Sequence, residues 1–448
     1  MSRSYVVVGG GISGLTAAYR LRRAVGGDAT ITLFDPADRL GGILRTERVG
    51  GQPLDVGAEA FVVRRPEVPA LLAELGLAGS QLGTTGVRPL IYSGATLHPL
   101  PAETVNGIPS SAPSMTGLVD EPTVGRMAAE PNRRMPWTPG ADPSVAEVVA
   151  DRFGAQVVAR SVDPMLAGVY AGSAATIGMR SAVPTVAAAL DRGAPSLTAA
   201  VRAALPPVTG APVFGAIDGG YEVLIRALVA QSRMRWLQSS VEEIARDGAG
   251  WSLRDDEGID HHADGLILAL PAPRLSRLVA TVAPRSADAA RRVVTASSVV
   301  VALAVPGGTP LPQQSGVLVA SGERLRAKAI TLSSRKWGRR GNAELLRLSF
   351  GRHGDTIARD TSDDELLTWA LADLSTVFGI DVEPVDVCVH RWLDAMPQYG
   401  PGHAALAAEI RAGLPPGLAV AGSFLDGIGV PACVGAAGRA AAQVTVAR

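Results

Sequence analysis

The chain has 448 residues, 47% of them hydrophobic, with 42 acidic and 42 basic side chains and a formal net charge of zero. It is too long for one hydrophobic core, and its apolar content suffices for two or three structural lobes of a folded globular protein. Balanced charge without a long single-sign run argues against a nucleic-acid surface held by phosphate contacts, and 4% aromatics argues against a base-stacking platform.

Cys388 and Cys433 are the only cysteines, and none of the six histidines stands in a ligand spacing such as HExxH. Neither a disulfide framework nor a metal site is expected, and the cytosol fits best. Lys328 and Lys336 are the only lysines among the basic residues. In a chain also rich in Ala and Gly, that bias reads as a coding preference for arginine.

The opening MSRSYVVVGGG enters a strand within four residues of Met1, which leaves no room for a signal peptide. No apolar run approaches the ~20 residues of a membrane span, so any membrane contact is expected to be peripheral. YVVVGG (5–10) reads as a buried parallel strand, LTAAYRLRRA (15–24) as a helix and ATITLFD (29–35) as a second strand, together a βαβ unit. From 86 to 142 the composition shifts to Pro, Gly and Ser, which predicts an insertion or lid of long loops and short helices. DPSVAEVVADRFG (142–154) predicts a helix with Asp142 as N-cap, Pro143 in the first turn and Gly154 as stop, and helical material continues to about 205. A β-rich ribbon follows through SSVEEIAR, GWSLRD, the turn DDEG and HHADGLILAL to Pro271. Strands at 295–305, 315–320 and 345–351 with a helix at 363–379 make a second, mixed lobe, and strand signal returns at 385–391 and 417–422.

GGGISG (9–14) places Gly9, Gly11 and Gly14 in GxGxxG spacing. The first glycine permits a tight turn, the second lets backbone N–H groups approach a pyrophosphate, and the third lets helix and strand pack closely. The motif follows a strand, opens a helix and is answered by Asp35 at the end of the second strand, placed to accept from a ribose hydroxyl. This context predicts dinucleotide binding over a merely structural turn. Arg39, Gly41 and Gly42 then form an RxGG segment, followed by PLDVGAEAF (53–61). Two glycines beside an arginine suit close backbone approach along an extended cofactor; Arg39 alone would read as a surface ion pair.

With GxGxxG plus RxGG the chain resembles the FAD-dependent amine-oxidase-like superfamily, which implies FAD in preference to NAD. Within it, DPMLAGVYAGSAATIGMRSAVPT (163–185), RWLDAMPQYGPGH (391–403) and GIGVPAC (427–433) resemble the protoporphyrinogen/coproporphyrinogen oxidases of haem biosynthesis, the actinobacterial members most closely. The similarity covers nearly the whole chain and is weakest over 86–142.

The implied architecture is α/β: a Rossmann-like FAD-binding domain (1–62, 214–284 and 388–448), an α+β substrate domain (63–85 and 285–387) and a mostly helical lobe (86–213). Carried over by position, Gly9, Gly10, Gly11, Ile12, Ser13, Gly14, Asp35, Arg39, Gly42, Gly57, Ala58, Glu59 and Ala60 would hold FAD. Val241 would use its backbone on the adenine, and Trp392, Gly429 and Val430 would lie by the flavin. Asp35 departs from the family's usual glutamate. Arg64, Arg65 and Gly168 are candidates for substrate, the arginines because a guanidinium matches a propionate bidentately.

The implied reaction is oxidation of coproporphyrinogen III to coproporphyrin III by repeated two-electron steps, with O2 as acceptor giving H2O2. No catalytic acid or base is assigned, because pyrrole protons can leave through tautomers and solvent. The resemblance also implies a hand-off to the ferrochelatase of the pathway and a cytoplasmic protein, with any membrane association peripheral. Protoporphyrinogen IX is the alternative substrate. A flavin amine oxidase, a flavin-containing sugar-nucleotide mutase and a non-catalytic FAD or porphyrin carrier are the rival readings.

The last glycine-rich run, GIGVPACVGAAG (427–438), raises the possibility of a second nucleotide site. Such a site needs its own βαβ unit and an acid about 20 residues on, and the sequence stops at Arg448. The run is therefore expected to serve the first site, with the helix after Gly429 aiming its positive end at the flavin ring.

Overall fold

In a computed structural model, residues 3–207, 210–339 and 341–446 are described. The outermost residues of the expected FAD-binding domain (1–2 and 447–448), 208–209 of the expected helical lobe and 340 of the expected substrate domain lie outside them. Strand β1 (Ser4–Val8), helix α1 (Ile12–Val25) and strand β2 (Thr30–Phe34) form the βαβ unit read from the sequence. They seed a five-stranded parallel sheet in the order Arg235–Leu237, β2, β1, Gly265–Leu268 and Leu418–Val420.

Successive residues of β1 enter opposite cores: Tyr5 and Val7 pack with α1 and the C-terminal helix α2 (Val430–Val446), Val6 and Val8 with helices of the other face. A parallel sheet covered on both faces needs such continuously apolar strands. Two segments far apart in sequence thus flank β1, and α1 and α2 pack against each other on one side of it.

The β-rich ribbon is shorter than the sequence suggests. Val241–Asp247, Gly250–Asp255 and Asp260–Ala263 form a three-stranded antiparallel sheet, but Gly265–Leu268 leaves it for the central parallel sheet. All four of those residues are buried, so the half-exposed alternation of a ribbon strand has ended there. Asp264 marks the switch, its backbone N–H donating to Ser4 and its carboxylate accepting from the Ser4 N–H.

The second sheet has seven strands, in the order Asp386–Pro397, Thr295–Pro306, Ala343–Phe350, Ala329–Leu332, Gly316–Val319, Leu90–Ser93 and Thr96–Pro99. The hairpin 90–99 falls within the stretch read as helical lobe, and Asp386–Pro397 straddles the expected boundary at 388. Long-range strand pairing, invisible to local composition, decides both placements.

The remaining helices between 121 and 204 pack around their own apolar core. Here one cap differs from expectation: Ser144, not Asp142, caps the helix Val145–Phe153. Ser144 Oγ accepts from Glu147 N (3.2 Å) while the Glu147 carboxylate accepts from Ser144 N (2.8 Å), a reciprocal capping box. Asp142 is instead spent on tertiary bonds, accepting from the backbone N–H of Arg180 and of Gly402, each at 2.8 Å.

Candidate cofactor and substrate site

The chain leaves β1 through Gly9, whose φ of +108° an L side chain rarely adopts; a Cβ there would stand 2.3 Å from Ala269 O. A Cβ at Gly14 would stand 1.8 Å from Gly9 O, so the helix can touch the turn only because Gly14 is bare. Gly11 differs. It is the N-cap of α1 without any side-chain cap, and a Cβ there would find nothing nearer than Gly42 Cα at 3.9 Å. Gly11 and Gly42 therefore line an open, side-chain-free cradle at a helix N-terminus, where free N–H groups and the helix dipole favour an anion.

The RxGG turn is bolted to this loop. Gly41 N donates to Gly10 O (2.8 Å), and Gly11 and Gly41 bridge in parallel fashion. Arg39 makes no ion pair with any described residue; its guanidinium donates to Gly42 O (2.6 Å) and Leu44 O (3.0 Å), bracing the turn from behind. Burial and the nearby Arg45 lower its pKa. Asp35 accepts from Gly10 N (2.5 Å) and Ala37 N (2.9 Å), and its own backbone is held by Leu237 and the Trp236 indole. Val241, buried, opens the ribbon four residues after Leu237, which pairs with Phe34 beside Asp35.

Further along, Gly57 is pinched between Ile43 O, 1.9 Å from where its Cβ would be, and the Trp392 ring at 3.1 Å. Trp392 donates from Nε1 to Val56 O (2.9 Å) and meets the edge of His390 at 4.2 Å. Gly57 O accepts from Arg347 (2.7 Å). In the same GAEA stretch the Glu59 carboxylate is spoken for: it accepts from Ser333 Oγ and Lys336 Nζ, each at 2.7 Å, with Arg347 at 3.6 Å. Burial opposes its ionisation, but Lys336 and Arg347 outweigh that and hold its pKa down at about 2. The Glu59 side chain is therefore not free to face a cofactor. Sequence reasoning missed this clamp. The rarity of lysine was its one available signal.

The C-terminal glycine run leads into α2 beside the first turn of α1. Gly429 is exposed and its carbonyl accepts from Ala432 N (3.0 Å) and Cys433 N (3.2 Å), starting α2; Val430 is buried. Val430 and Cys433 share a core with Ile12 and Leu15 of α1, and burial raises the Cys433 thiol pKa to about 11. The first turns of α1 and α2 are therefore side by side, as reading the run as part of the first site requires. The run is anchored by Tyr399, whose hydroxyl donates to Ser423 O (2.5 Å) and accepts from Gly427 N (3.0 Å).

A model of flavin containing amine oxidoreductases matches residues 12–445. The chain belongs to that family. It is 69% identical to the coproporphyrinogen III oxidase of Mycobacterium bovis, over 99% of this chain and 97% of that one. With the protein of the same name from Mycobacterium leprae it shares 67% over the whole of both chains. Among solved structures, a putative protoporphyrinogen oxidase from Exiguobacterium superposes with a TM-score of 0.89 at 27% identity, over 100% of both chains. The amine-oxidase-like fold and the flavin read from the sequence thus hold for this family member. Among the described residues no helix is long and apolar enough to cross a membrane.

The predicted residues fall into distinct neighbourhoods. Gly9 to Gly14, Asp35, Arg39 and Gly42 form one cluster, Gly57 to Ala60 with Trp392 a second, and Gly429 and Val430 reach the first through α2. Gly168 stands on the helix Asp163–Tyr170, with open space where its Cβ would be, beside Val169, which is 49% exposed. Arg64 and Arg65 are on an exposed turn, where Arg65 is paired with Glu67 at 2.5 Å.

Proposed function

We propose that this protein oxidises coproporphyrinogen III to coproporphyrin III with bound FAD. The observation that carries the reading is the 67–69% identity, across essentially the full length, to mycobacterial proteins of that name. The residues present fit the cofactor. The cradle of Gly11 and Gly42 offers a pyrophosphate bare backbone at the α1 N-terminus, and a side chain at either glycine would occupy it. Asp35 sits at the end of β2 with lone pairs left for a ribose hydroxyl, Val241 offers its main chain to the adenine, and the main chain of 57–60 lies beside Trp392 for the flavin end.

When bound, the flavin supplies repeated two-electron oxidation, with O2 restoring it and leaving as H2O2. The protein's own part is positional and electrostatic. The first turn of α2, just after exposed Gly429, brings the positive end of a 17-residue helix beside the first turn of α1, from where its dipole would favour negative charge on the bound cofactor. Trp392, fixed through Val56 and packed on Gly57, gives the site a rigid aromatic wall. Residues 1–62, 214–284 and 388–448 would carry the cofactor, and the seven-stranded sheet with the helix bearing Gly168 the substrate. A cytoplasmic location with at most peripheral membrane contact, and delivery of product to a ferrochelatase, complete the proposal.

The test is a comparison of kcat/KM for coproporphyrinogen III and protoporphyrinogen IX with purified, FAD-loaded protein. Preference for the tetracarboxylate with H2O2 released is the expected result. Preference for the dicarboxylate would move the assignment to protoporphyrinogen oxidation. Failure to bleach the flavin anaerobically with either would leave only a carrier.

A further inference from the structure

Lys328 is 5% exposed, and its ammonium finds no carboxylate among the described residues. It donates to Ser298 Oγ (2.8 Å), Gly351 O (2.5 Å) and Phe350 O (3.3 Å), all neutral acceptors. Next to Gly351 comes Arg352, half-buried, whose guanidinium makes no hydrogen bond or ion pair with any described residue. Burial first, then Arg352, lowers the Lys328 pKa to about 7 against the pull of Asp355, and burial lowers that of Arg352 against Asp163 and Asp355.

The nearby carboxylates are already engaged. Asp163 accepts from Ala174 N (2.7 Å) and Ser321 Oγ (2.8 Å), and Asp355 from the backbone N–H groups of Arg352 (2.6 Å) and Ile357 (3.2 Å). Asp355 offsets part of the charge of both cations and Asp163 part of that of Arg352, but burial outweighs them, and neither carboxylate forms an ion pair with either cation among the described residues.

Their place in the fold points to the substrate. Ser298, the partner of Lys328, lies directly across the sheet from Trp392, so the two side chains share a face. On the far side His353 N donates to the carbonyl of Ala171 (2.6 Å), a residue held at φ +50° where the helix of Gly168 and Val169 ends. The turn 351–353 thus bridges the sheet that carries Trp392 and the helix that carries the open Gly168 face. Arg65, by contrast, is neutralised by Glu67.

We propose that Arg352, backed by Lys328, is the carboxylate-binding subsite that receives a propionate of the porphyrinogen. The proposal rests on the functional reading above. A guanidinium can take the carboxylate in two parallel hydrogen bonds, while Lys328, when it holds its proton, adds a positive charge behind it.

The experiment uses the FAD-loaded Arg352→Gln and Arg352→Lys enzymes, with coproporphyrinogen III and its tetramethyl ester as substrates and coproporphyrin III fluorescence as a binding readout. Loss of a charge-assisted pair predicts a KM and a product Kd raised at least about tenfold in Arg352→Gln, with kcat little changed and FAD content intact. Arg352→Lys recovers part of the affinity, and the ester is handled alike by all three proteins. An unchanged KM and Kd in Arg352→Gln, or an equal loss with the ester, overturns the subsite. If the wild type binds coproporphyrin III through Arg352 yet oxidises neither porphyrinogen, the oxidase reading fails and the subsite stands.

Discussion

The two lysines of this chain are both on or beside the seven-stranded sheet, and they live under opposite rules. Lys336 meets Glu59 at 2.7 Å with Ser333 and Arg347 close by, a compensated cluster that ties the GAEA segment to the sheet. Lys328 has only a hydroxyl and two carbonyls. The first cluster stabilises the join between residues 57–60 and the sheet. The second opposes folding while Lys328 is charged, because burial disfavours its ammonium and its hydrogen-bond partners are neutral. A coding preference for arginine does not account for where the two exceptions stand, since an ammonium, unlike a guanidinium, shifts its pKa readily when buried.

The contrast should be visible first at alkaline pH. Unfolded, Lys328 keeps its proton to about 10.5; folded, it releases it near 7. Between those values the unfolded chain binds more protons, so stability rises with pH across that window, by about 4–5 kcal/mol from this group alone. Urea unfolding at several pH values should show this rise in the wild type and a correspondingly flatter curve in Lys328→Met. Equal slopes would mean that Lys328 is not desolvated as described.

Glu59 should give the same sign of slope in an acid window, but for the opposite reason: its charged form is the one the fold favours. Its pKa falls from 4.5 to about 2 on folding, so its contribution is complete above pH 4.5 and disappears as pH falls toward 2. Glu59→Gln should cost about 3 kcal/mol at neutral pH, by stranding Lys336 and Arg347, and should remove that acid-side loss. A variant as stable as wild type at pH 7 would show the cluster to be idle.

The smallest effect is expected at Trp392. Trp392→Phe keeps most of the packing on Gly57 and loses only the bond to Val56 O, about 1 kcal/mol in unfolding experiments. A loss beyond about 3 kcal/mol would indicate that the indole, and not the charged clusters, holds the cofactor and substrate regions together.

How far the sequence alone carries depends on the residue. The GxGxxG turn was legible because its glycines answer local needs, a positive φ at Gly9 and a helix start at Gly11. Asp142 was misread as a cap because local spacing cannot tell which of Asp142 and Ser144 has a better partner elsewhere; Asp142 finds its own at Arg180 and Gly402. The hairpin 90–99 was lost in a loop-rich stretch because its strand partner, Gly316–Val319, lies more than two hundred residues away.

What the sequence determined by itself is the nucleotide end of the molecule, where the βαβ unit, its glycines and Asp35 lie within some thirty residues and act through backbone geometry. It also determined the family, through motifs spread along the chain. Only the tertiary structure decided what the charged residues do. Whether a glutamate is a ligand or a strut, and whether a lysine is neutralised or waiting, depends on which side chains the fold brings within a few ångströms and how far it removes them from water. No local pattern encodes either quantity.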